Sequence, residues 1–145
     1  MIRIFKSEDI KQVMEIWLES NKDAHFFIND DYWQSNFDFV QQQILQAEVF
    51  VYETGGKIKG FIGVMDGYIA GIFVDKEYRC TGAGKRLLDH VKQRYNLLSL
   101  NVYRNNRGAV SFYLRENFSV ISEDKDEDTG EIEYTMIWKR NKICD

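Results

Sequence analysis

The spacing of apolar residues divides the first third of the chain into one strand and two helices. Residues Ile2 to Phe5 alternate apolar and basic side chains, a pattern that is typical of a short β-strand. Ser7 is a favourable N-cap for the helix that follows, and Asp30 or Asp31 is one for the next helix. The first helix carries apolar residues at helical spacing to about Ser20: Ile10, Val13, Met14, Trp17 and Leu18. The second carries Trp33, Phe37, Val40 and Ile44.

The pattern changes to β-strands at Val49. Two turn sequences, Gly55-Gly56 and Asp66-Gly67, separate three apolar runs, which predicts three consecutive antiparallel strands. A helix then begins near Gly84, and a strand, a helix and two further strands follow it. The strands predicted from Val49 onward are 49–54, 58–65, 68–74, 97–103, 118–122 and 132–138. The order is therefore βααβββαβαββ, an α/β (α+β) protein built from layers of sheet and helix.

Length and composition favour one ordinary folded domain. The 145 residues are predicted to form a single domain over 1–145, with 141–145 as a C-terminal tail. The net charge of −4 does not favour nucleic-acid binding. The charged N-terminus is unlike a signal peptide, and uncharged stretches such as Phe39 to Ala47 are too short to cross a bilayer. With two cysteines, Cys80 and Cys144, and no disulfide framework, a cytoplasmic protein without a membrane partner is expected.

The segment from 72 to 88 carries the strongest signal for chemistry. A strand ends at Val74, a polar loop follows, and Gly82 and Gly84 stand at the start of an amphipathic helix. Backbone N–H groups at a helix start have no partner within the helix, and glycines let them approach a phosphate closely. Arg79 and Lys85 add positive charge, so the segment predicts an anion-binding site. The spacing fits neither the P-loop motif nor the dinucleotide fingerprint, and glycines that only shape a loop are the alternative.

The pattern Arg79-x-x-Gly82-x-Gly84 resembles the coenzyme A pyrophosphate loop of the GNAT N-acetyltransferase superfamily. A second block is similar to another signature of that family, and it contains Asn106, Ala109, Phe112, Tyr113 and Asn117-Phe118. Within the superfamily, the sequence most resembles small single-domain bacterial acetyltransferases, some of which acetylate peptidyl lysine. Their loop pattern is present here as His25, Phe27, Ile28, Tyr32 and Trp33.

The resemblance implies a GNAT fold, a twisted mixed sheet with helices on both faces and with acetyl-CoA in the cleft between the fourth and fifth strands. Acetyl-CoA would be a co-substrate, and no metal is implied. The expected reaction is direct transfer of the acetyl group to a primary amine. A protein lysine or an N-terminal amine is favoured over a small amine such as a polyamine or an aminoglycoside. A coenzyme A-binding module without turnover is the alternative from another class, and both a monomer and a homodimer stay open.

The resemblance also implies a set of site residues. Tyr113 is the expected general acid for the departing coenzyme thiolate, and His25 is a candidate general base. The residues expected to contact acetyl-CoA lie on the fourth strand, the loop and two helices: Ile72, Phe73, Val74, Arg79, Cys80, Thr81, Gly82, Ala83, Gly84, Lys85, Asn106, Ala109, Phe112 and Tyr113. Those expected to contact the acceptor are Phe27, Tyr68, Asn101 and Tyr103. A backbone N–H at Ile72 or Phe73, where the family opens its sheet with a bulge, is the expected oxyanion donor.

Two positions depart from the family pattern. Asn117 stands where the family has a glycine that ends a helix in the left-handed conformation, and asparagine is the next best residue there. Asn101 stands where several protein-acetylating relatives have a glutamate on the fifth strand. The resemblance therefore does not supply a general base.

Each candidate side chain also has a structural interpretation. Tyr113 fits packing of a helix, Asn106 fits a helix N-cap and Tyr68 fits a cross-strand contact. A lone loop histidine such as His25 is more often a packing residue than a base. His90, on the third predicted helix, is expected to be solvated. The acidic run 123–128 is expected to be a solvated loop, which near the acceptor entrance would attract a cationic amine.

Overall fold

The computed structural model describes residues 1–140, and one mixed sheet runs through them. Over this range the chain forms seven strands: β1 (Ile2–Ile4), β2 (Glu48–Thr54), β3 (Lys57–Met65), β4 (Tyr68–Val74), β5 (Leu97–Tyr103), β6 (Ser119–Lys125) and β7 (Ile132–Lys139). The same range contains five α-helices: α1 (Ile10–Ala24), α2 (Asp30–Ser35), α3 (Phe37–Gln46), α4 (Ala83–Lys92) and α5 (Arg107–Arg115). The tail predicted over 141–145, with Cys144, lies outside the described residues.

The prediction of a single second helix is wrong, because this segment forms two helices that meet at Asn36. The Asn36 side-chain amide donates a hydrogen bond to the Tyr32 carbonyl at 2.7 Å and so competes with the helical ladder. Asn36 is both the C-cap of α2 and the N-cap of α3. Asn29, rather than Asp30 or Asp31, caps α2, since its side chain accepts from the Asp31 N–H at 2.8 Å. The observed order is βαααβββαβαββ.

The start of α1 also differs from the prediction, because Ser7 does not cap it. Residues Ser7–Asp9 form a 3-10 turn, and α1 begins after them. The Asp9 carboxylate folds back to accept the Lys6 N–H at 2.8 Å, and it contacts the Arg3 guanidinium at 2.8 Å. The cap of this segment is therefore a buried carboxylate that also joins the helix to β1.

The strand order in the sheet is β1-β2-β3-β4-β5-β7-β6, and every neighbouring pair is antiparallel except β4 and β5. Side chains alternate between the two faces of each strand, so the sheet has a core on both sides. Helices α1 to α3 cover one core, which includes Val13, Trp17, Trp33, Val51 and Phe61. Helices α4 and α5 cover the other, which includes Phe50, Ile62, Leu87, Leu98 and Tyr113. The predicted mixed sheet with helices on both faces is confirmed.

Strands β4 and β5 run parallel and pair only between the start of β4 and the middle of β5. Tyr68 lies opposite Ser99, and Ile69 lies opposite Leu100. Beyond these two pairs β5 continues beside β7, whereas β4 continues beside β3. The later part of β4 therefore separates from β5, and the predicted opening between the fourth and fifth strands is present.

A bulge in β4 begins this separation, but it lies upstream of its predicted position at Ile72 or Phe73. The register with β3 shifts so that Ala70 has no partner. A Cβ at Gly71 would meet the Phe73 ring at 2.3 Å, so a larger residue at this position would force the ring to move. The Phe73 ring lies over Gly71 and packs against Phe61, with ring centroids 5.1 Å apart.

The end of α5 confirms the prediction for Asn117, whose φ of 72° is left-handed. The next N–H, that of Phe118, donates to the Tyr113 carbonyl at 3.0 Å. This turn brings the Phe118 ring to 5.5 Å from the Tyr113 ring, so it helps to hold Tyr113 in the core. Within residues 1–140, no helix is both long enough and apolar enough to span a membrane.

Candidate active site

The separated edge of β4 contains the three strand residues that were predicted to contact acetyl-CoA. Ile72, Phe73 and Val74 pair with β3 on one side and have no partner in β5 on the other. The Val74 carbonyl accepts long hydrogen bonds from the Ser20 hydroxyl at 3.4 Å and from Arg79 Nε at 3.3 Å. An unpaired strand edge of this kind can bind an extended, amide-containing chain as an additional strand.

The loop after β4 enters α4 through a left-handed glycine. Gly82 has a φ of 89°, and its carbonyl accepts the Arg86 N–H at 3.0 Å, so the helix is regular from its first turn. The N–H groups of Ala83, Gly84 and Lys85 therefore have no acceptor within the helix. A Cβ at Gly82 would meet no atom within 4 Å, so the space beside this glycine is open. This helix end is suited to an anion such as a pyrophosphate.

The basic residues of this loop are held by carboxylates. The Arg79 guanidinium lies 3.6 Å from the Asp23 carboxylate. The Lys85 ammonium lies 3.0 Å from Glu116 and 3.4 Å from Asp89, and these contacts, above all the hydrogen bond with Glu116, raise the pKa of Lys85. Both basic side chains are exposed, so they lie on the surface next to the start of α4.

Cys80 and Thr81 form the turn between these basic residues. Cys80 is exposed and has a left-handed φ of 65°. The Thr81 hydroxyl donates to the Tyr78 carbonyl, and the Tyr78 hydroxyl accepts a hydrogen bond from the buried Lys59 ammonium at 2.7 Å. The hydrogen bond between Tyr78 and Lys59 therefore attaches the loop to β3.

Helix α5 places Tyr113 in the core beside the opening in the sheet. Its ring lies 5.3 Å from Phe112 and 5.5 Å from Phe118, and the residue is 7% exposed. No group among residues 1–140 forms a hydrogen bond with its hydroxyl. Burial, with a smaller contribution from Tyr68, raises the pKa of Tyr113, so the hydroxyl keeps its proton at neutral pH. An unpartnered, protonated hydroxyl is a suitable proton donor.

Asn106 begins α5 and contacts His25. Its side-chain oxygen accepts the Ala109 N–H at 3.3 Å, which confirms the N-cap interpretation. Its side-chain nitrogen lies 3.1 Å from His25 Nε2. Because an amide nitrogen can only donate, Nε2 accepts and the ring proton resides on Nδ1. On the same helix, Phe112 faces Gly84 of α4, where a Cβ would lie 3.6 Å from the ring.

His25 lies inside an aromatic cluster formed with Phe27, Trp33 and Tyr103. Its ring stacks on Trp33 with centroids 5.1 Å apart, and the edges of Phe27 and Tyr103 lie at 5.6 and 5.2 Å. Burial lowers the pKa of His25 to about 4. A neutral imidazole with an occupied Nε2 and a depressed pKa is poorly suited to take a proton near pH 7, so the geometry favours the packing interpretation.

The acidic run 123–128 is not simply a solvated loop. Its first three residues belong to β6, which ends at Lys125. Asp126 accepts a hydrogen bond from the Tyr103 hydroxyl at 2.6 Å. This bond joins the β6–β7 connection to β5 beside the aromatic cluster, and burial together with Asp126 raises the pKa of Tyr103.

Tyr68 and Asn101 come together where β4 and β5 separate. The Asn101 side-chain oxygen accepts a hydrogen bond from the Thr135 hydroxyl at 2.9 Å. Burial raises the pKa of Tyr68, the charge of Glu133 raises it further, and a hydrogen bond with Asn101 lowers it. These two side chains thus lie close together at the opening, and their contact with an acceptor stays a prediction.

Glu133 is a polar residue of the site that the sequence prediction missed. It lies opposite Tyr103 in the β5–β7 pair and opposite Asp124 in the β6–β7 pair. Burial raises the pKa of Glu133, and the negative charges of Asp126 and Asp124 raise it further. The alternation along β7 could have identified Glu133, because Glu133 and Thr135 lie on the face opposite the buried Met136.

His90 lies away from this site, and its prediction as a solvated residue is wrong. Its ring packs against Phe50 with centroids 4.6 Å apart. Burial, with the Arg94 charge, lowers the pKa of His90. Among the described residues, no three His, Cys, Asp or Glu side chains are grouped in a way that could hold a metal ion.

Comparison with known proteins identifies the family. The family model described as "Acetyltransferase (GNAT) domain" matches residues 9–139. The chain is 33% identical to the peptidyl-lysine N-acetyltransferase YiaC of Escherichia coli (strain K12) over 140 residues, 95% of this chain and 96% of that protein. The chain belongs to the GNAT acetyltransferase family.

Solved structures agree with this membership. The solution structure of apo-form YjaB from Escherichia coli has a TM-score of 0.84 with 23% identity, and it covers 97% of this chain and 98% of that chain. A structure from Bacillus anthracis str. Ames, in complex with acetyl coenzyme A, has a TM-score of 0.61 with 25% identity over 66% of this chain and 64% of that chain.

As a GNAT N-acetyltransferase, the chain uses acetyl-CoA as its acetyl donor. The prediction of an acetyl-CoA-dependent enzyme is thereby confirmed, and a coenzyme A-binding module without turnover is not supported. The residues fit this donor, because the unpaired edge of β4 and the open start of α4 offer backbone groups for amides and phosphates.

Proposed function

We propose that this chain acetylates the ε-amine of lysine side chains in proteins. The observation that carries this proposal is the similarity to YiaC, named a peptidyl-lysine N-acetyltransferase, which extends over 95% of this chain and 96% of that protein. YjaB of Escherichia coli (strain K12), 26% identical over 89% of this chain, has the same kind of name. Two relatives with one class of acceptor favour that class over a small amine.

The charges on the acceptor side support a cationic acceptor. Asp126 accepts a hydrogen bond from Tyr103, and Glu133 lies opposite Tyr103 and Asp124 in the sheet. The charge of Asp126 also raises the pKa of Tyr32. Tyr68 and Phe27 supply apolar surface beside these carboxylates. A lysine side chain, with an apolar stem and an ammonium head, matches this combination.

On the donor side, the proposal assigns backbone and side-chain groups to acetyl-CoA. The free edge of β4 at Ile72, Phe73 and Val74 pairs with the pantetheine amides, and an N–H at Ile72 or Phe73 donates to the thioester oxygen. The N–H groups at the start of α4 hold the pyrophosphate. The remaining contacts come from the loop, from α4 and from α5 with its N-cap: Arg79, Cys80, Thr81, Lys85, Asn106, Ala109 and Phe112.

Tyr113 is the general acid in this proposal. Its hydroxyl donates a proton to the sulfur of coenzyme A as the thioester bond breaks. Three observations support the role: the hydroxyl has no partner among residues 1–140, it keeps its proton at neutral pH, and it lies near Tyr68 at the opening.

The test is an acetylation assay with three matched acceptors. The first is a peptide with one lysine and a blocked N-terminus, the second is the same peptide with Lys→Arg and a free N-terminus, and the third is a small polyamine. Release of coenzyme A thiol measures turnover, and mass spectrometry locates the acetyl group. The proposal predicts the highest kcat/KM for the lysine peptide.

The small-amine alternative makes the opposite prediction. If the polyamine has the highest kcat/KM and the lysine peptide gives no acetylated product, the acceptor in this proposal is wrong. Acetylation of the free N-terminus alone would indicate an N-terminal amine as the acceptor.

A further inference from the structure

Neither the position of the relatives' glutamate nor the candidate base His25 supplies a suitable general base. The position where several relatives have a glutamate is Asn101, an amide whose oxygen already accepts from Thr135 at 2.9 Å. His25 is neutral, and its Nε2 accepts from Asn106 at 3.1 Å. Yet a lysine amine is protonated at neutral pH and must lose a proton before it attacks a thioester.

Strand β7 supplies a carboxylate on the same face of the sheet. Thr135 is the direct partner of Asn101, and Glu133 is the direct partner of Tyr103. Because residues two apart on a strand share a face, Glu133 lies diagonal to Asn101, within reach of long side chains. Glu133 is thus one strand removed from the missing glutamate, on the same face of the sheet.

The surroundings of Glu133 are those of a carboxylate that accepts protons. It is half-buried, and no Lys or Arg among residues 1–140 forms an ion pair with it. The charge of Glu133 raises the pKa of Tyr68, and Tyr68 raises the pKa of Tyr113. Tyr68 is therefore close enough to interact with both the carboxylate and the candidate acid.

We propose that Glu133 is the general base of the acetyl transfer, the carboxylate that receives the proton of the acceptor ammonium at the opening between β4 and β5. This inference rests on the proposed function only in needing an amine acceptor, whether a lysine or a small amine.

The protons and bonds balance in this scheme. The ammonium gives one proton to the Glu133 carboxylate and becomes a neutral amine. The amine nitrogen forms a bond to the acetyl carbon, and the bond from that carbon to sulfur breaks. Tyr113 gives its proton to the sulfur and is restored by the second proton of the amine nitrogen. Glu133 then releases its proton to solvent, so one proton leaves for each acetyl group transferred.

The pH dependence of this step reflects every group that faces Glu133. Those groups come from α2, β4, β5, β6 and the β6–β7 connection: Tyr32, Tyr68, Tyr103, Asp124 and Asp126. The raised pKa values of the three tyrosines keep their hydroxyls neutral at neutral pH. Since burial and both aspartates raise the pKa of Glu133, the acidic limb of the rate profile lies above the usual glutamate range.

The experiment compares Glu133→Gln, Glu133→Asp and the control Glu123→Gln. Glu123 lies on the exposed strand β6 of the same hairpin, so its replacement removes the same charge away from the opening. Steady-state kinetics over pH 5–9 are measured with the lysine peptide and the polyamine, and urea unfolding verifies that each variant is folded. We expect Glu133→Gln to lower kcat by about 10²–10⁴-fold, with little change in the KM for acetyl-CoA, and to remove the acidic limb.

Glu133→Asp should retain part of the activity and the acidic limb, because it keeps the carboxylate, and Glu123→Gln should match the wild type. An unchanged kcat and acidic limb in folded Glu133→Gln would overturn the assignment. So would equal losses in Glu133→Gln and Glu123→Gln, which would indicate a general effect of charge. If the wild type acetylates only the polyamine, the lysine proposal fails, whereas the ratio of variant to wild type on that amine still tests Glu133.

Discussion

The side-chain amide of Asn106 donates a hydrogen bond to His25 Nε2 at 3.1 Å, across 81 positions of sequence. The bond joins the C-cap of α1 to the N-cap of α5. It also determines the tautomer, since an imidazole nitrogen that accepts from an amide cannot carry the proton. Asn106 and His25, which the sequence predicted as a cofactor contact and a candidate base, therefore hold the end of α1 against the start of α5.

The buried state of His25 predicts a pH-dependent stability. Because its pKa falls from about 6.5 in the unfolded chain to about 4 in the folded one, protonation favours unfolding. The stabilising contribution is complete above pH 6.5 and is lost as the pH falls towards 4. Urea unfolding should show a loss of up to about 3 kcal/mol over this window.

His25→Gln should remove most of this dependence between pH 6.5 and 4, whereas His90→Gln should leave most of it. His90 is the matched control, because burial also lowers its pKa but its ring is more accessible. A wild type whose stability is constant across the window would contradict the buried, neutral state of His25.

Tyr113→Phe should lower kcat without weakening the binding of acetyl-CoA. The change removes the hydroxyl and keeps the ring between Phe112 and Phe118, so the fold should persist. We expect kcat to fall by about 10²–10⁴-fold and the KM for acetyl-CoA to stay nearly constant. The loss should be smaller for thioesters whose thiol is more acidic, since these need less protonation on leaving.

Tyr134→Phe is the control for this change, because Tyr134 packs against the same core and also loses only a hydroxyl. Its kcat should match that of the wild type. The role of Tyr113 as an acid would be refuted if only the KM changes, or if both phenylalanine variants lose kcat equally.

Gly82→Ala should weaken acetyl-CoA binding more than it weakens the fold. The new Cβ meets no protein atom within 4 Å, and we expect the added methyl group to hinder a phosphate at the adjacent free N–H groups of α4. We expect the Kd for acetyl-CoA to rise by ten-fold or more, about 1.4 kcal/mol, in titration calorimetry.

Gly56→Ala is a matched control in the β2–β3 turn. Gly56 has a φ of 77°, close to the 89° of Gly82, and a Cβ there also meets nothing within 4 Å. Both variants should lose a similar free energy of unfolding to left-handed strain, and only Gly82→Ala should lose affinity. Equal affinities in the two variants would place the pyrophosphate elsewhere.

Asp9→Asn should destabilise the protein without affecting turnover at saturating substrate. The Asp9 carboxylate is buried, contacts Arg3 through both oxygens at 2.8 and 3.0 Å and accepts the Lys6 N–H. Its loss should lower the free energy of unfolding by roughly 2 kcal/mol in urea titrations.

Glu53→Gln is the comparison for Asp9, because Glu53 also contacts Arg3, at 3.2 Å, but from a more exposed position. Exposed ion pairs contribute little, so this variant should be clearly more stable than Asp9→Asn. The reverse order would mean that the turn at Asp9 is not what anchors α1 to β1.

Much of the donor side was predictable because its signals are local. The glycine at position 82 and the amphipathic helix after it are neighbours in sequence, and together they specify a helix start with free N–H groups. Asn117 adopts its left-handed conformation because it follows the end of a helix and asparagine tolerates that conformation. The break at Asn36 was missed because the hydrogen bond from its side chain to the Tyr32 carbonyl does not change the spacing of the apolar residues.

Periodicity and short motifs were enough to predict the order of the strands along the chain and the glycine-led start of α4, because these signals are local. Which acidic and aromatic side chains come together could not be predicted, because it depends on contacts between distant segments. Glu133 faces Tyr103 because of the register between β5 and β7, and Tyr103 bonds Asp126 across 23 positions. Register and burial depend on how distant segments pack, and burial is what moves the pKa values of His25 and Glu133 in opposite directions.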